Sequence, residues 1–181
     1  MIITNNMEFN YRVYRSDTIV KNYESMLAEI QQGLFVFDQE FVNKDSTWSY
    51  KFYNTFCLTA PSLHFHKLLT DLKGIIREYA GHDRPLWMQS WINRHMPEEV
   101  LDWHNHIWPF HGYISIDPKL SKTVFEDYSI NNKIGNIYIG PGHRKHKVEV
   151  LETFYTPRIT LGFDVTDQPG PPSGRFSLIP I

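Results

Sequence analysis

The stretch Arg158-Ile159-Thr160-Leu161-Gly162-Phe163 decides the fold. Its apolar residues recur at every second position, the period of a β-strand, whose side chains point alternately to opposite faces. Ile159, Leu161 and Phe163 share one face, which suits a core. Arg158, Thr160 and Gly162 share the other. A guanidinium on a face of small residues suits the base of a pocket. It equally suits a surface arginine at a strand start.

Working outward, the same short-strand texture fills the chain after Pro85. Strands are predicted over 86–93, 103–106, 110–116, 123–126, 136–139, 147–151 and 158–165. Turn signals separate them: Asp117-Pro118, Asn131-Asn132, Gly140-Pro141-Gly142 and Thr156-Pro157. Strands at such intervals predict a sandwich or barrel. An aromatic content of 15% points the same way.

Upstream the periodicity changes. Residues 8–14 alternate as a strand. A helix is predicted over 17–32, capped by Ser16 or Asp17, striped by Ile19, Tyr23, Met26, Leu27 and Ile30, and ended by Gly33. A second helix is predicted from a Thr59 cap, with Pro61 in its first turn, to Gly81. The expectation is an α+β chain that is mainly β. Residues 1–85 form a helical and β support region, 86–165 a double-sheet core, and 166–181 a Pro- and Gly-rich tail that wraps the surface or frays. No linker-like composition divides them, so 1–181 is read as one domain.

Composition narrows the function. The net charge of -2 comes without a basic run, which argues against a nucleic-acid backbone as partner. No window approaches eighteen consecutive apolar residues, so no membrane span is expected. Met1 to Asn6 lack a charged segment leading into an apolar one, and a cytoplasmic protein is expected. The single Cys57 excludes an intrachain disulfide and a cysteine-rich zinc site, and is expected to be a buried core thiol.

The chemistry lies in the histidines. Six of the nine fall between His95 and His146. His104 and His106, in Trp103-His104-Asn105-His106, are spaced to share one strand face, roughly 6–7 Å apart, so both rings can reach one metal ion. A half-buried, hydrogen-bonded pair is the plain alternative. His143-Arg144-Lys145-His146 follows the Gly140-Pro141-Gly142 turn, with Arg158 twelve residues beyond His146. His143 is read as a loop or rim residue and His95 as a loop residue at a pocket mouth. His111 is read as supporting the site or merely buried, and His64 and His66 as helix residues without chemistry. Among Trp87, Trp91, Trp103 and Trp108, most are read as core and one or two as cavity walls.

This order of elements resembles the core of the iron(II)- and 2-oxoglutarate-dependent oxygenases. The resemblance rests on His104-Asn105-His106, Gly112-Tyr113-Ile114-Ser115, Gly135 to Pro141, His146-Lys147-Val148 and Arg158 to Phe163, and covers about residues 88–165. More narrowly, it is to small oxygenases similar to prolyl hydroxylases, frequent in phages and marine bacteria. The resemblance implies a double-stranded β-helix, or jelly roll, with N-terminal helices bracing one sheet. It implies iron(II) as cofactor, with His104 as first ligand and His146 as distal ligand. It implies 2-oxoglutarate as co-substrate, its far carboxylate on Arg158 with a hydroxyl from Tyr113 or Tyr138. It implies O2 as a further partner, hydroxylation as the reaction, and a peptide or protein side chain as substrate.

The sequence departs from the family where most members carry Asp or Glu, because His106 stands there. Three donor sets follow: His106 itself, which the narrower subgroup favours; a carboxylate from Asp102; or one from Glu126 or Asp127. Two other functions stay in competition. One is a three-histidine, cupin-like metalloenzyme that uses no 2-oxoglutarate. The other is a jelly-roll binding module without catalysis.

Overall fold

The computed structural model describes residues 1–40, 54–59, 61–99, 101–168 and 177–181. Strands β1 (Ile2–Asn6) and β2 (Tyr11–Arg15) lead into helices α1 (Asp17–Lys21), α2 (Tyr23–Glu40), α3 (Thr55–Leu58) and α4 (Leu63–Ala80). Then come β3 (Trp87–His95), β4 (Phe110–Asp117), β5 (Ser121–Phe125), β6 (Ser129–Asn131), β7 (Asn136–Pro141), β8 (His146–Val150), β9 (Arg158–Thr166) and β10 (Ile179–Pro180).

The helices follow their capping chemistry. The Ser16 hydroxyl accepts the Ile19 N–H at 3.3 Å and starts α1. The helix expected over 17–32 is in fact two, because Asn22 leaves helical geometry and turns its amide onto the Thr18 carbonyl at 2.8 Å. Gly33 does not end α2, which runs on to Glu40. A glycine inside a helix costs about 1 kcal/mol. The next residue, Leu34, is buried in the core, and burying such a side chain returns ~1.5–3 kcal/mol. The α4 cap is Ser62 rather than Thr59: its hydroxyl accepts the Phe65 N–H at 3.1 Å, with Pro61 left outside the helix. Gly81 closes α4 at φ 70, a left-handed conformation that favours glycine.

All pairings between the strands are antiparallel. A seven-stranded sheet runs β1-β2-β7-β4-β9-β3-β10, and a three-stranded sheet runs β6-β5-β8. The alternation along β9 decides what each face does. Ile159, Leu161, Phe163 and Val165 join Ile114, Ile116, Ile137 and Ile139 in one buried cluster with Met26, Ile30, Leu68, Leu72 and Ile76 of the helices. The helices therefore cover one face of the large sheet. Its other face carries Tyr11, Val13, Tyr113 and Tyr138, which pack with Phe125 of the small sheet. The result is a double-stranded β-helix, a jelly roll braced by helices on one sheet. Among the described residues no helix is long and apolar enough to cross a membrane.

Three further expectations need correction. The strand predicted over 103–106 reduces to a single bridge, His104 with His146, because the chain bends away at 107–109 before Phe110. Cys57 is exposed rather than buried. Ile179 pairs with Met88 and Pro180 with Trp87, so the end of the tail is an edge strand, while 169–176 lie outside the described residues. The strands β1 and β6 were not anticipated; Ile2–Asn6 and Ser129–Asn131 lack clear alternation.

Candidate metal and anion site

The space between the two sheets opens into a pocket of about 490 Å³, including solvent at its mouth. β9 supplies Arg158, Thr160 and Gly162, the face read from the sequence. β3 supplies Trp91, Asn93 and His95, and β4 supplies His111 and Tyr113. Register sets these side by side: Trp91 and Tyr113 both lie opposite Gly162, and His95 lies opposite Arg158. Gly162 has a steric reason. A Cβ there would sit 2.5 Å from the Trp91 ring, so only glycine lets the indole lie flat across the strand.

His104, His106 and His146 meet at one end of this pocket. Their nitrogens lie within 4.8 Å of one another, close enough to hold one metal ion. Backbone geometry brings them there. His104 and His146 exchange two backbone hydrogen bonds, at 3.0 and 2.8 Å, and the His106 N–H donates to the Gly142 carbonyl at 2.8 Å. The turn that opens at Gly142, after β7, thus carries His146 back to the His-x-His segment.

Each ring is also held in one tautomer. Nδ1 of His104 faces the Asp102 carbonyl at 2.7 Å, and Nδ1 of His146 faces the Arg144 carbonyl at 3.1 Å. Nδ1 of His106 faces Oδ2 of Asp164 at 3.1 Å. Those partners accept and cannot donate, so each Nδ1 carries a proton, and Nε2 is the nitrogen that can ligate when the ring is neutral. His106 Nε2 is buried and has no hydrogen-bond partner. Imidazole ligation of a divalent metal uses Nε2 of a neutral ring. Burial, then the neighbouring rings, pushes His146 down to about 2, and burial lowers His104 as well. Both stay neutral at physiological pH. The residues present fit a metal ion.

The carboxylates considered from sequence sit elsewhere. The Asp102 side chain is exposed and accepts the Trp103 N–H at 2.7 Å; its contribution to the site is its backbone carbonyl. Glu126 is exposed, and Asp127 pairs with Arg144 at 3.0 Å. The buried carboxylate beside the histidines is Asp164, which also accepts from Nδ1 of His111 at 3.0 Å. Burial opposes its ionisation, but the hydrogen bonds from His106 and His111 prevail and hold its carboxyl below the usual range. A signal for Asp164 was present. Continuing the alternation from Arg158, Thr160 and Gly162 by one more step reaches it.

The other end of the pocket is cationic. Arg158 is 3% exposed, and its nearest polar contacts are long ones, 3.4 Å to the Ser121 hydroxyl and 3.4 Å to the Thr160 hydroxyl. No carboxylate among the described residues pairs with it. Burial lowers it to about 10, which leaves it charged at neutral pH. An unpaired buried cation is costly, and an anionic ligand removes that cost. Tyr113 points its hydroxyl into the same space, buried and without a hydrogen bond of normal geometry. Burial raises Tyr113 well above the usual phenol range, so it stays a donor. Tyr138 lies behind it, its hydroxyl 3.2 Å from that of Tyr128, and does not line the pocket.

The remaining histidines and tryptophans sort by position. His95 is buried in the pocket wall rather than in a loop, and burial with the adjacent Arg158 lowers it to about 4. His143 is exposed in the turn before β8. His64 pairs with Glu29 on the helical side at 3.1 Å. Trp91 lines the pocket, while Trp103 is partly exposed, with the Lys147 ammonium 5.3 Å from its ring.

The sequence matches no protein-family model and no curated protein. The architecture does have solved counterparts. The non-heme alpha ketoglutarate dependent carbocyclase SnoK from nogalamycin biosynthesis superposes with a TM-score of 0.59, at 13% identity, over 87% of this chain and 79% of that one. The epimerase SnoN of the same biosynthesis gives 0.55, at 12% identity, over 87% and 76%. An oxidoreductase of the 2OG-Fe(II) oxygenase family from Burkholderia pseudomallei gives 0.50, at 13% identity, over 64% and 61%. The fold is the one these oxygenases use. At such identities the likeness concerns the fold, and function has to be argued from the site.

Proposed function

We propose that this protein is an iron(II)- and 2-oxoglutarate-dependent oxygenase that hydroxylates a C–H bond of its substrate. One observation carries the reading: a single pocket pairs three converging histidine nitrogens with a buried guanidinium that no carboxylate among the described residues pairs with. His104, His106 and His146 would hold the metal. Bound iron and 2-oxoglutarate would together activate O2, the keto acid leaving as succinate and carbon dioxide.

The chain's own residues do the rest. Arg158 grips the far carboxylate of the keto acid through two parallel N–H···O bonds, a geometry lysine cannot offer. The buried Tyr113 hydroxyl donates to the same carboxylate. Leu101, Val148 and Trp91 give the pocket apolar walls that keep water out and strengthen those charge contacts. The resemblance seen in the sequence favours a peptide or protein side chain as substrate.

Incubation in air with iron(II), ascorbate and 2-oxoglutarate tests the reading through succinate released, by mass spectrometry. Turnover well above a metal-free control is expected. An iron-loaded protein that forms no succinate, with or without a peptide pool, would refute it.

The lack of a carboxylate among the three converging groups favours a second reading, a three-histidine metalloenzyme that uses no 2-oxoglutarate. Arg158→Ala separates the two. Activity on a substrate that survives this change intact belongs to the second.

A further inference from the structure

We infer that Asp164 is the positioning carboxylate of the histidine site: by accepting from Nδ1 of both His106 and His111, it fixes His106 with Nε2 turned to the metal. The inference rests on reading His104, His106 and His146 as metal ligands. Asp164 is 7% exposed on the pocket face of β9 and lies directly opposite His111 in the register with β4. Its Oδ1 lies 3.0 Å from Nδ1 of both His111 and His106, and its Oδ2 lies 3.1 Å from Nδ1 of His106. The two rings stack at 3.7 Å between centroids and 11° between planes, and Trp91 lies near-parallel to His106 at 5.8 Å.

The three candidate ligands are therefore not equivalent. His104 and His146 lean on neutral backbone carbonyls, whereas His106 leans on a carboxylate. A carboxylate behind an imidazole makes the far nitrogen a better donor and holds the ring's orientation. Asp164 brings a negative charge to the His106 corner, one residue removed from the metal. His111 completes the arrangement by donating to Oδ1 of the same carboxylate.

One rival arrangement uses the same atoms. His106, His111 and Asp164 have ligand atoms within 4.8 Å of one another, so they could themselves hold an ion. His104→Ala and His146→Ala decide between the two, because only the first set contains those residues.

The test begins with the unmodified, metal-free protein labelled with 15N at histidine. Two-bond 1H–15N spectra, assigned with His106→Gln and His111→Gln, report the tautomers without depending on an Asp164 variant. Both rings are expected to carry the proton on Nδ1. In Asp164→Asn the side chain offers one acceptor and one donor, so one ring is expected to move its proton to Nε2. Anaerobic calorimetry with manganese(II) is expected to show one ion per chain, its affinity about 10–100-fold weaker in Asp164→Asn. Nε2–H on His106 in the unmodified protein, unchanged affinity in Asp164→Asn, or two ions per chain with one lost in that variant would each overturn the inference. His104→Ala and His146→Ala are run beside it. If both still bind manganese as the unmodified protein does, the metal-site reading itself fails, a result distinct from any failure of Asp164.

Discussion

The two ends of the pocket are built on opposite electrostatic plans. At the histidine end, acceptors sit behind each ring: carbonyls behind His104 and His146, and the Asp164 carboxylate behind His106. His104 and His146 are neutral, and all three rings are held from outside the pocket, an arrangement that suits a cation. At the arginine end the charge is already present. Among the described residues Arg158 is buried, charged and met by two distant hydroxyls and no carboxylate, which suits an anion. A ligand that is anionic and also chelates a metal satisfies both ends at once. The difference teaches that the site is incomplete in two complementary ways, and each can be removed separately.

Removing the cation end has the largest expected effect. His146→Ala or His104→Ala is expected to abolish measurable binding of iron(II) or manganese(II) by anaerobic calorimetry while the fold, followed by circular dichroism, is kept. Metal affinity that survives both changes would break the comparison at its first half. Removing the anion end comes next. Arg158→Ala is expected to weaken 2-oxoglutarate by ~3 kcal/mol, on the order of 100-fold, with metal affinity unchanged. If metal affinity falls equally, the two ends are not separable.

Acid should act on both ends of the pocket through stability. His95 and His111 are each lowered to about 4, burial being the leading cause. Their unfolded-state value is near 6.5, so the unfolded chain binds protons that the fold resists. Stability is therefore fully present above about pH 6.5 and falls as pH drops towards about 4, by ~1.4 kcal/mol per pH unit for each histidine. Chemical denaturation of the metal-free protein across that range measures this, and His111→Gln should flatten the slope. A flat profile would contradict the burial argument.

A smaller effect is expected where the two halves meet. Gly162→Ala places a methyl 2.5 Å from Trp91, which also flanks His106. A cost of ~1–3 kcal/mol is expected in thermal or chemical unfolding. Stability unchanged by this substitution would mean that Trp91 can shift, and that the clamp on His106 is loose.

How much of this was legible in the sequence depends on period. The alternation in β9 identified both its core face and its pocket face, and the turns around Asp117-Pro118 and Gly140 to Gly142 separated the core strands correctly. Where period was weak or the ends mattered, reading failed. The break at Asn22 depends on one side-chain hydrogen bond, and the run of α2 past Gly33 depends on the burial of Leu34, a tertiary effect. The His-x-His segment looked like a strand because its spacing suits one, yet two backbone bonds to His146 and the bend before Phe110 place it. That His104, His106 and His146 converge is a matter of sheet register, which spacing alone does not give. Asp164 and the buried position of His95 were missed for different reasons. The first lay one step beyond the residues considered. The second needed the β3 to β9 register that puts His95 opposite Arg158.

One measurement addresses the central claim, that a single ligand bridges the two ends. 2-Oxoglutarate is titrated anaerobically into the protein loaded with iron(II), and visible absorption is followed for the unmodified chain and for Arg158→Ala. The account predicts a metal-to-ligand charge-transfer band that saturates in the unmodified protein and needs far more 2-oxoglutarate in the variant, although both hold iron equally. No band in the iron-loaded unmodified protein, or the same titration curve in both, would contradict it.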